Sequence, residues 1–164
     1  VEAMNRICLG AETHSDTNLD IDQLQVQFER IDQAIAMAAM FMATNVSVQG
    51  IVALTESGST AKWLLRVRSS VPIFALSPSV DSRRRMAMYR GVYPIAHDLP
   101  DLDVEVALAE GVQLLVTQGH IKIGDRIILT MGENTGNEGG TNTLRLVQLG
   151  EGGYSEYHPS LDID

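Results

Sequence analysis

From Gly50 to Leu149 the chain keeps switching between two hydrophobic periods, and this alternation constrains the fold more than any other feature. Short apolar runs at Ile51 to Leu54, Val71 to Leu76, Val92 to Ala96 and Arg126 to Met131 read as strands. Between them lie patterns with helical spacing: Ala61 to Val67, a short basic segment from Asp81 to Tyr89 stopped by Gly91, and Asp103 to Gln118 stopped by Gly119. In the last of these, Val104, Ala107, Leu108, Gly111, Leu114 and Leu115 share one face. Strands and helices taking turns predict a mainly parallel sheet covered on both faces, a three-layer α/β/α domain. A fifth strand, Asn142 to Leu149, follows its predecessor through the glycine loop Gly132 to Gly140 with no helix between, and is therefore expected to run antiparallel at the sheet edge.

Upstream, Leu24, Phe28, Ile31, Ile35, Ala38 and Met42 recur at steps of three and four, which predicts one long helix capped by Asp20 or Asp22. Its methionines, Met37, Met40 and Met42, read as core or interface filler. Ala11 to Asn18 is polar and aperiodic, as a linker would be, while Val1, Met4, Ile7 and Cys8 already carry helical spacing with no capping residue before them. The segmentation is thus 1–19, a helix remnant with a linker; 20–149, the α/β domain; and 150–164, an acidic tail expected to be flexible.

The net charge of −9 argues against general binding to nucleic acid or an anionic membrane, because the overall field repels polyanions. A single small anion is not excluded, since charges beyond about 8 Å are screened at physiological salt. A lone cysteine, Cys8, forms no internal disulfide and is expected to be a buried small hydrophobe; with no leader pattern at Val1, the cytoplasm is the expected compartment.

The stretch LTESGSTAKWLL, Leu54 to Leu65, is where chemistry would concentrate. In open α/β sheets ligands bind outside the carboxyl ends of the strands, and this hydroxyl-rich turn leaves the first strand of the sheet to enter a helix. Thr55, Ser57, Ser59 and Thr60 supply hydroxyls, Gly58 permits close backbone approach, and the helix start offers unpaired N–H groups to an anion. It carries neither a three-glycine dinucleotide fingerprint nor a Gly-Lys-Ser/Thr ending. One exposed helix terminus contributes only about 0.3–1 kcal/mol to an anion, whereas millimolar affinity needs about 4 kcal/mol, so several donors must act together. Physics alone leaves two readings open: a phosphate site, or an ordinary turn with Ser57 or Ser59 as N-cap.

Elsewhere the sequence offers little chemistry. His14, His97, His120 and His158 are scattered without ligand spacing, and Asp98, Asp101, Asp103 and Glu105 read as the acidic first turn of a helix. A small phosphatase or isomerase using His97, Asp98 and Asp101 is a competing reading.

Three motifs in order shift the balance among these readings without closing the enzyme alternative. Thr55 to Gly58 (TESG), Ala87 to Pro94 (AMYRGVYP) and Gly139 to Thr143 (GGTNT) together resemble the C-terminal domain of pyruvate kinase of the bacterial type, over roughly Asp20 to Leu149. Val1 to Glu12 is similar to the last helix of that enzyme's catalytic barrel. The resemblance implies a regulatory and oligomerising domain that binds a phosphorylated effector, a sugar monophosphate or AMP. The phosphate would rest on Thr55, Glu56, Ser57, Gly58, Ser59 and Thr60. The loop carrying Glu133, Asn134, Gly136, Gly139 and Gly140 would close over the sugar, unless its glycines only form a hairpin turn.

It also implies no catalytic residues, metal or cofactor in this chain, the Mg²⁺ and K⁺ of phosphoryl transfer from phosphoenolpyruvate to ADP belonging to the catalytic barrel. The expected partners are that catalytic domain and a second copy, met through the strand Asn142 to Leu149. In members of the family that respond to a bisphosphate, an arginine meets the second phosphate where this chain has Glu105, and some carry a lysine at the place of Glu56. A carboxylate about 4 Å from a phosphate repels it by roughly 4 kcal/mol at an effective dielectric near 20, so a monophosphate is the expected ligand. A stand-alone phosphometabolite-binding protein of the same fold is the alternative.

Overall fold

A computed structural model describes residues 2–13, 27–67, 69–98, 103–132, 139–151 and 153–156. The elements run α1 (Glu2–Thr13), α2 (Ile31–Asn45), β1 (Gly50–Leu54), α3 (Ser59–Leu64), β2 (Ile73–Ser77), α4 (Val80–Met86), β3 (Val92–Ala96), α5 (Val104–Thr117), β4 (Arg126–Met131), β5 (Thr143–Gly150) and β6 (Gly153–Glu156). They build one mixed sheet of order β3-β2-β1-β4-β5-β6. β1 pairs in parallel with β2 and with β4, β2 in parallel with β3, and β5 antiparallel with β4. The expected α/β architecture and the directions of the five expected strands are those observed.

Strands β1 and β2 are buried along their whole length, as continuous apolar runs covered on both faces require. On one face Ile51, Ala53 and Ile128 pack beneath Ala36 and Met40 of α2, Leu64 of α3 and Met86 of α4. On the other, Val52, Leu76 and Leu129 meet Leu108, Val112 and Leu115 of α5. Each fully buried aliphatic side chain contributes about 1.5–3 kcal/mol relative to exposure, so these two layers hold the strand ends in place.

The sequence expectation changes in four places. First, α2 begins at Ile31, with Arg30 extended before it, instead of at Asp20 or Asp22. Gln27 and Phe28 are not helical; residues 20–26 lie outside the described residues. Second, α2 is rotated by one position. It buries Asp32, Ala36, Ala39, Met40 and Ala43, while Ile31 is 69% exposed. An alanine stripe with Met40 faces the sheet, letting the helix backbone approach it closely, and Ile31 turns aside. Third, β5 is not the edge, because Gly153–Glu156 adds antiparallel to its outer side. Gly150 pairs with Gly153, so the stretch read as tail begins with a hairpin; residues 152 and 157–164 lie outside the described residues. Fourth, Cys8 is exposed on α1, beside Met4 and Ile7, which are each 71% exposed.

No helix among the described residues is long and apolar enough to cross a membrane.

Candidate functional site

Connectivity gathers helix starts at one edge of the sheet. α3, α4 and α5 follow β1, β2 and β3 directly, and α2 returns antiparallel to β1, so their N-termini lie at the carboxyl ends of the parallel strands. Of the buried polar residues, Asp32, Thr55, Thr60, Ser77, Thr130 and Thr141 all belong to segments at that edge. Polar groups are costly to bury unless paired, so their concentration marks where the chain departs from simple core packing.

The loop after β1 is built from within. The Thr55 N–H donates to the Leu76 carbonyl at 3.0 Å, and the Gly58 N–H donates to Thr55 Oγ1 at 3.0 Å. The Ser59 N–H points to Ser57 Oγ at 3.3 Å. Gly58 is the residue before the helix, at φ 81°, a left-handed conformation that costs other residues about 1–2 kcal/mol. A methyl at Gly58 would also stand 3.0 Å from Met86 Cγ. The N-cap is therefore this glycine, with no side-chain cap on α3, and neither Ser57 nor Ser59 serves as one. Because α3 is six residues long, its dipole is small, and the loop's capacity for an anion rests on its backbone N–H groups and hydroxyls.

The neighbouring strand end braces this loop. Ser77 Oγ donates to the Glu56 carbonyl at 3.3 Å, and Arg83 Nη1 donates to the carbonyls of Ser77 and Pro78 at 2.7 and 2.8 Å.

The six residues expected to hold a phosphate differ in access. Glu56 is exposed and Ser57 and Ser59 are half-buried. Thr55 and Thr60 are only 7% and 4% exposed. Their hydroxyls organise the site: that of Thr55 receives Gly58, and that of Thr60 lies 2.7 Å from Thr141 Oγ1. This last contact joins residues 81 apart in sequence and ties the loop after β1 to the segment leading into β5. Of the residues expected in the second loop, Gly139 and Gly140 border this junction, and Glu133, Asn134 and Gly136 lie outside the described residues.

Three features at this edge escaped the sequence reading. Arg30 grips Asp32 through two hydrogen bonds, Nε to Oδ1 at 2.9 Å and Nη2 to Oδ2 at 2.8 Å; a carboxylate in the first turn of a helix whose neighbours are apolar was the available signal. Thr141 stood inside the quoted GGTNT motif, but nothing local pairs it with Thr60. On β4, Thr130 is fully buried, and its hydroxyl has no hydrogen-bond partner among the described residues.

In the opposite layer Asp103, Glu105 and His97 have structural partners. Asp103 caps α5, its side chain accepting from the Glu105 N–H at 3.2 Å. His97 Nε2 lies 2.7 Å from the Ala107 carbonyl, fastening the end of β3 to α5. Asp98 is exposed, and Asp101 lies outside the described residues. Glu105 is paired by both oxygens with the Arg145 guanidinium of β5, Nη1 to Oε2 at 2.9 Å and Nη2 to Oε1. The expectation of a bare carboxylate repelling a second phosphate therefore needs correction, because the charge is matched by Arg145 on the layer away from α3. The described residues contain no group of three or more His, Cys, Asp and Glu able to hold a metal ion.

Comparison with known proteins agrees with this architecture. The family model described as "Pyruvate kinase, alpha/beta domain" matches residues 33–147. The chain is 41% identical over 150 residues to pyruvate kinase II of Salmonella typhimurium, covering 91% of this chain and 31% of that protein. It is 36% identical over 150 residues to a pyruvate kinase of Buchnera aphidicola subsp. Baizongia pistaciae, with the same coverage. Against a pyruvate kinase of Haemophilus influenzae it is 35% identical over 144 residues, 87% of this chain and 29% of the relative. The chain thus spans about a third of the length of the curated relatives it matches.

Proposed function

The chain belongs to the pyruvate kinase alpha/beta-domain family, and on that premise we propose that it is the regulatory and oligomerising domain of a pyruvate kinase, binding a small phosphorylated effector at the carboxyl edge of its sheet. The observation that carries this reading is the buried Thr60–Thr141 hydroxyl pair. It joins the loop after β1 to the approach to β5, so one ligand can touch both. The phosphate is received by the backbone and hydroxyls of Ser57, Gly58 and Ser59, on a frame held by Thr55 and Thr60. The segment from Glu133 to Gly140 covers the rest of the ligand.

The effector is a monophosphate such as ribose 5-phosphate, glucose 6-phosphate or AMP, because exposed Glu56 adds negative charge beside the loop and disfavours a second phosphate there. Phosphoryl transfer from phosphoenolpyruvate to ADP, with its Mg²⁺ and K⁺, is assigned to a catalytic domain of the parent enzyme, which places the protein in glycolysis and in the cytoplasm. The 164-residue chain alone should form no pyruvate from phosphoenolpyruvate and ADP. Assembly through the β5 side of the sheet now involves β6, which occupies the outer edge of β5.

Titration calorimetry of the chain against the three monophosphates and fructose 1,6-bisphosphate tests the reading. Saturable binding of at least one monophosphate, tighter than the bisphosphate, is expected. Absence of binding for all four at millimolar concentration refutes the effector site, and tighter bisphosphate binding refutes the monophosphate assignment.

A further inference from the structure

The guanidinium of Arg30 lies against the backbone of Gly139. A methyl group built on Gly139 would overlap Arg30 Nη2 and stand 2.8 Å from Cζ and 3.3 Å from Nε. Gly139 also has φ 82°, so the backbone angle disfavours a side chain there, and one could be added only by displacing the guanidinium. Asp32, itself 1% exposed, fixes the guanidinium from the other side through the two-point contact of Nε and Nη2. A planar fork held at two points has a defined orientation, which a single contact to a long side chain would not provide.

Gly139 stands two residues before Thr141, whose hydroxyl meets Thr60. The contacts therefore form one continuous line: the first turn of α2, Asp32, Arg30, Gly139, Thr141, Thr60 and the loop after β1. We propose that Arg30 is a positioning residue for the effector site. Gripped by Asp32, it sets where the chain re-enters the sheet ahead of β5 and so keeps Thr141 on Thr60. Ligand affinity at the cleft then depends on a residue of the segment leading into α2 that need not touch the ligand. The affinity part of this proposal rests on the effector-site reading above; the positioning part does not.

A double-mutant cycle on the 164-residue chain tests it, using Arg30→Ala, Thr141→Val and the double variant, with ribose 5-phosphate and AMP as probes in calorimetry. Each single variant should weaken binding about tenfold, the size typical of residues in one contact network, and the double variant should be no weaker than the weaker single one. Losses that multiply would show that Arg30 does not act through Thr141 and would overturn the proposal. Arg30→Lys keeps the charge but not the fork, so it should bind like Arg30→Ala; full rescue by lysine would also overturn it. A readout without ligand separates this from the effector reading. The Asn142 N–H, bonded to the Met131 carbonyl at 3.1 Å, should exchange with deuterium several-fold faster in Arg30→Ala than in the parent chain. Unchanged exchange overturns the positioning role. Should the parent chain bind neither probe while exchange does accelerate, the effector reading fails and the positioning role stands.

Discussion

The same substitution, threonine to valine, should change stability in opposite directions at two buried positions of this domain. Thr130 on β4 is 0% exposed, and its hydroxyl has no hydrogen-bond partner among the described residues. A buried unsatisfied hydroxyl costs about 1–3 kcal/mol, and removing it while keeping the shape returns part of that cost. Valine is also β-branched, so the strand keeps its χ1 preference. Thr130→Val is therefore expected to stabilise the fold by about 1 kcal/mol.

Thr60, 4% exposed, differs because its hydroxyl shares a 2.7 Å hydrogen bond with Thr141, which is itself 5% exposed. Thr60→Val leaves the Thr141 hydroxyl buried and unpaired, for an expected loss of about 1–3 kcal/mol. Adding Thr141→Val removes the orphan, so the double variant should be less destabilised than the sum of the single ones. Urea denaturation gives these differences directly; by heat, 1 kcal/mol corresponds to roughly 2–4 °C in a domain of this size. Destabilisation by Thr130→Val would show that its hydroxyl is hydrogen-bonded in solution and would refute the reasoning, as would strict additivity at Thr60 and Thr141.

Other substitutions probe the remaining contacts. Gly58→Ala forces a left-handed residue and pushes on Met86; a loss of about 1–2 kcal/mol, with weaker phosphate binding, is expected from urea denaturation and calorimetry. Ser57→Ala should weaken monophosphate binding about three- to tenfold, the worth of one hydrogen bond, and barely move the denaturation midpoint; the two measurements together separate a ligand contact from a fold contact. Glu105→Gln should cost no more than about 1 kcal/mol, because the pair is 44% and 32% exposed on the Glu105 and Arg145 sides, and the difference should shrink between 0.05 and about 0.5 M salt. A larger, salt-independent loss would mean that the pair is more deeply desolvated than its exposure indicates.

What could be read from the sequence was whatever short-range physics decides. Apolar runs bounded by Gly, Pro and polar residues located β1 to β4 and the turn at Thr55 to Thr60, because strand burial and turn chemistry depend on residues close in the chain. The Asp103 cap and the antiparallel direction of β5 follow from the same local logic. The register of α2 was not decidable in this way. Ile31, Ile35, Ala38 and Met42 describe one helical face, and Asp32, Ala36, Ala39 and Ala43 describe another a single residue away. Only close packing on the sheet favours the smaller side chains. The glycines after Leu149 equally suit a loose tail and a hairpin, and it is the unpaired edge of β5 that recruits β6.

The site shows the same division. Its hydroxyl-rich loop is local and was visible, but the partners that determine each group's role are distant. Thr60 finds Thr141 across 81 residues, and Glu105 finds Arg145 across 40. Pairings of that kind are chosen by the sheet order, which brings remote segments to one edge and leaves each buried polar group to bond whatever the fold has placed beside it.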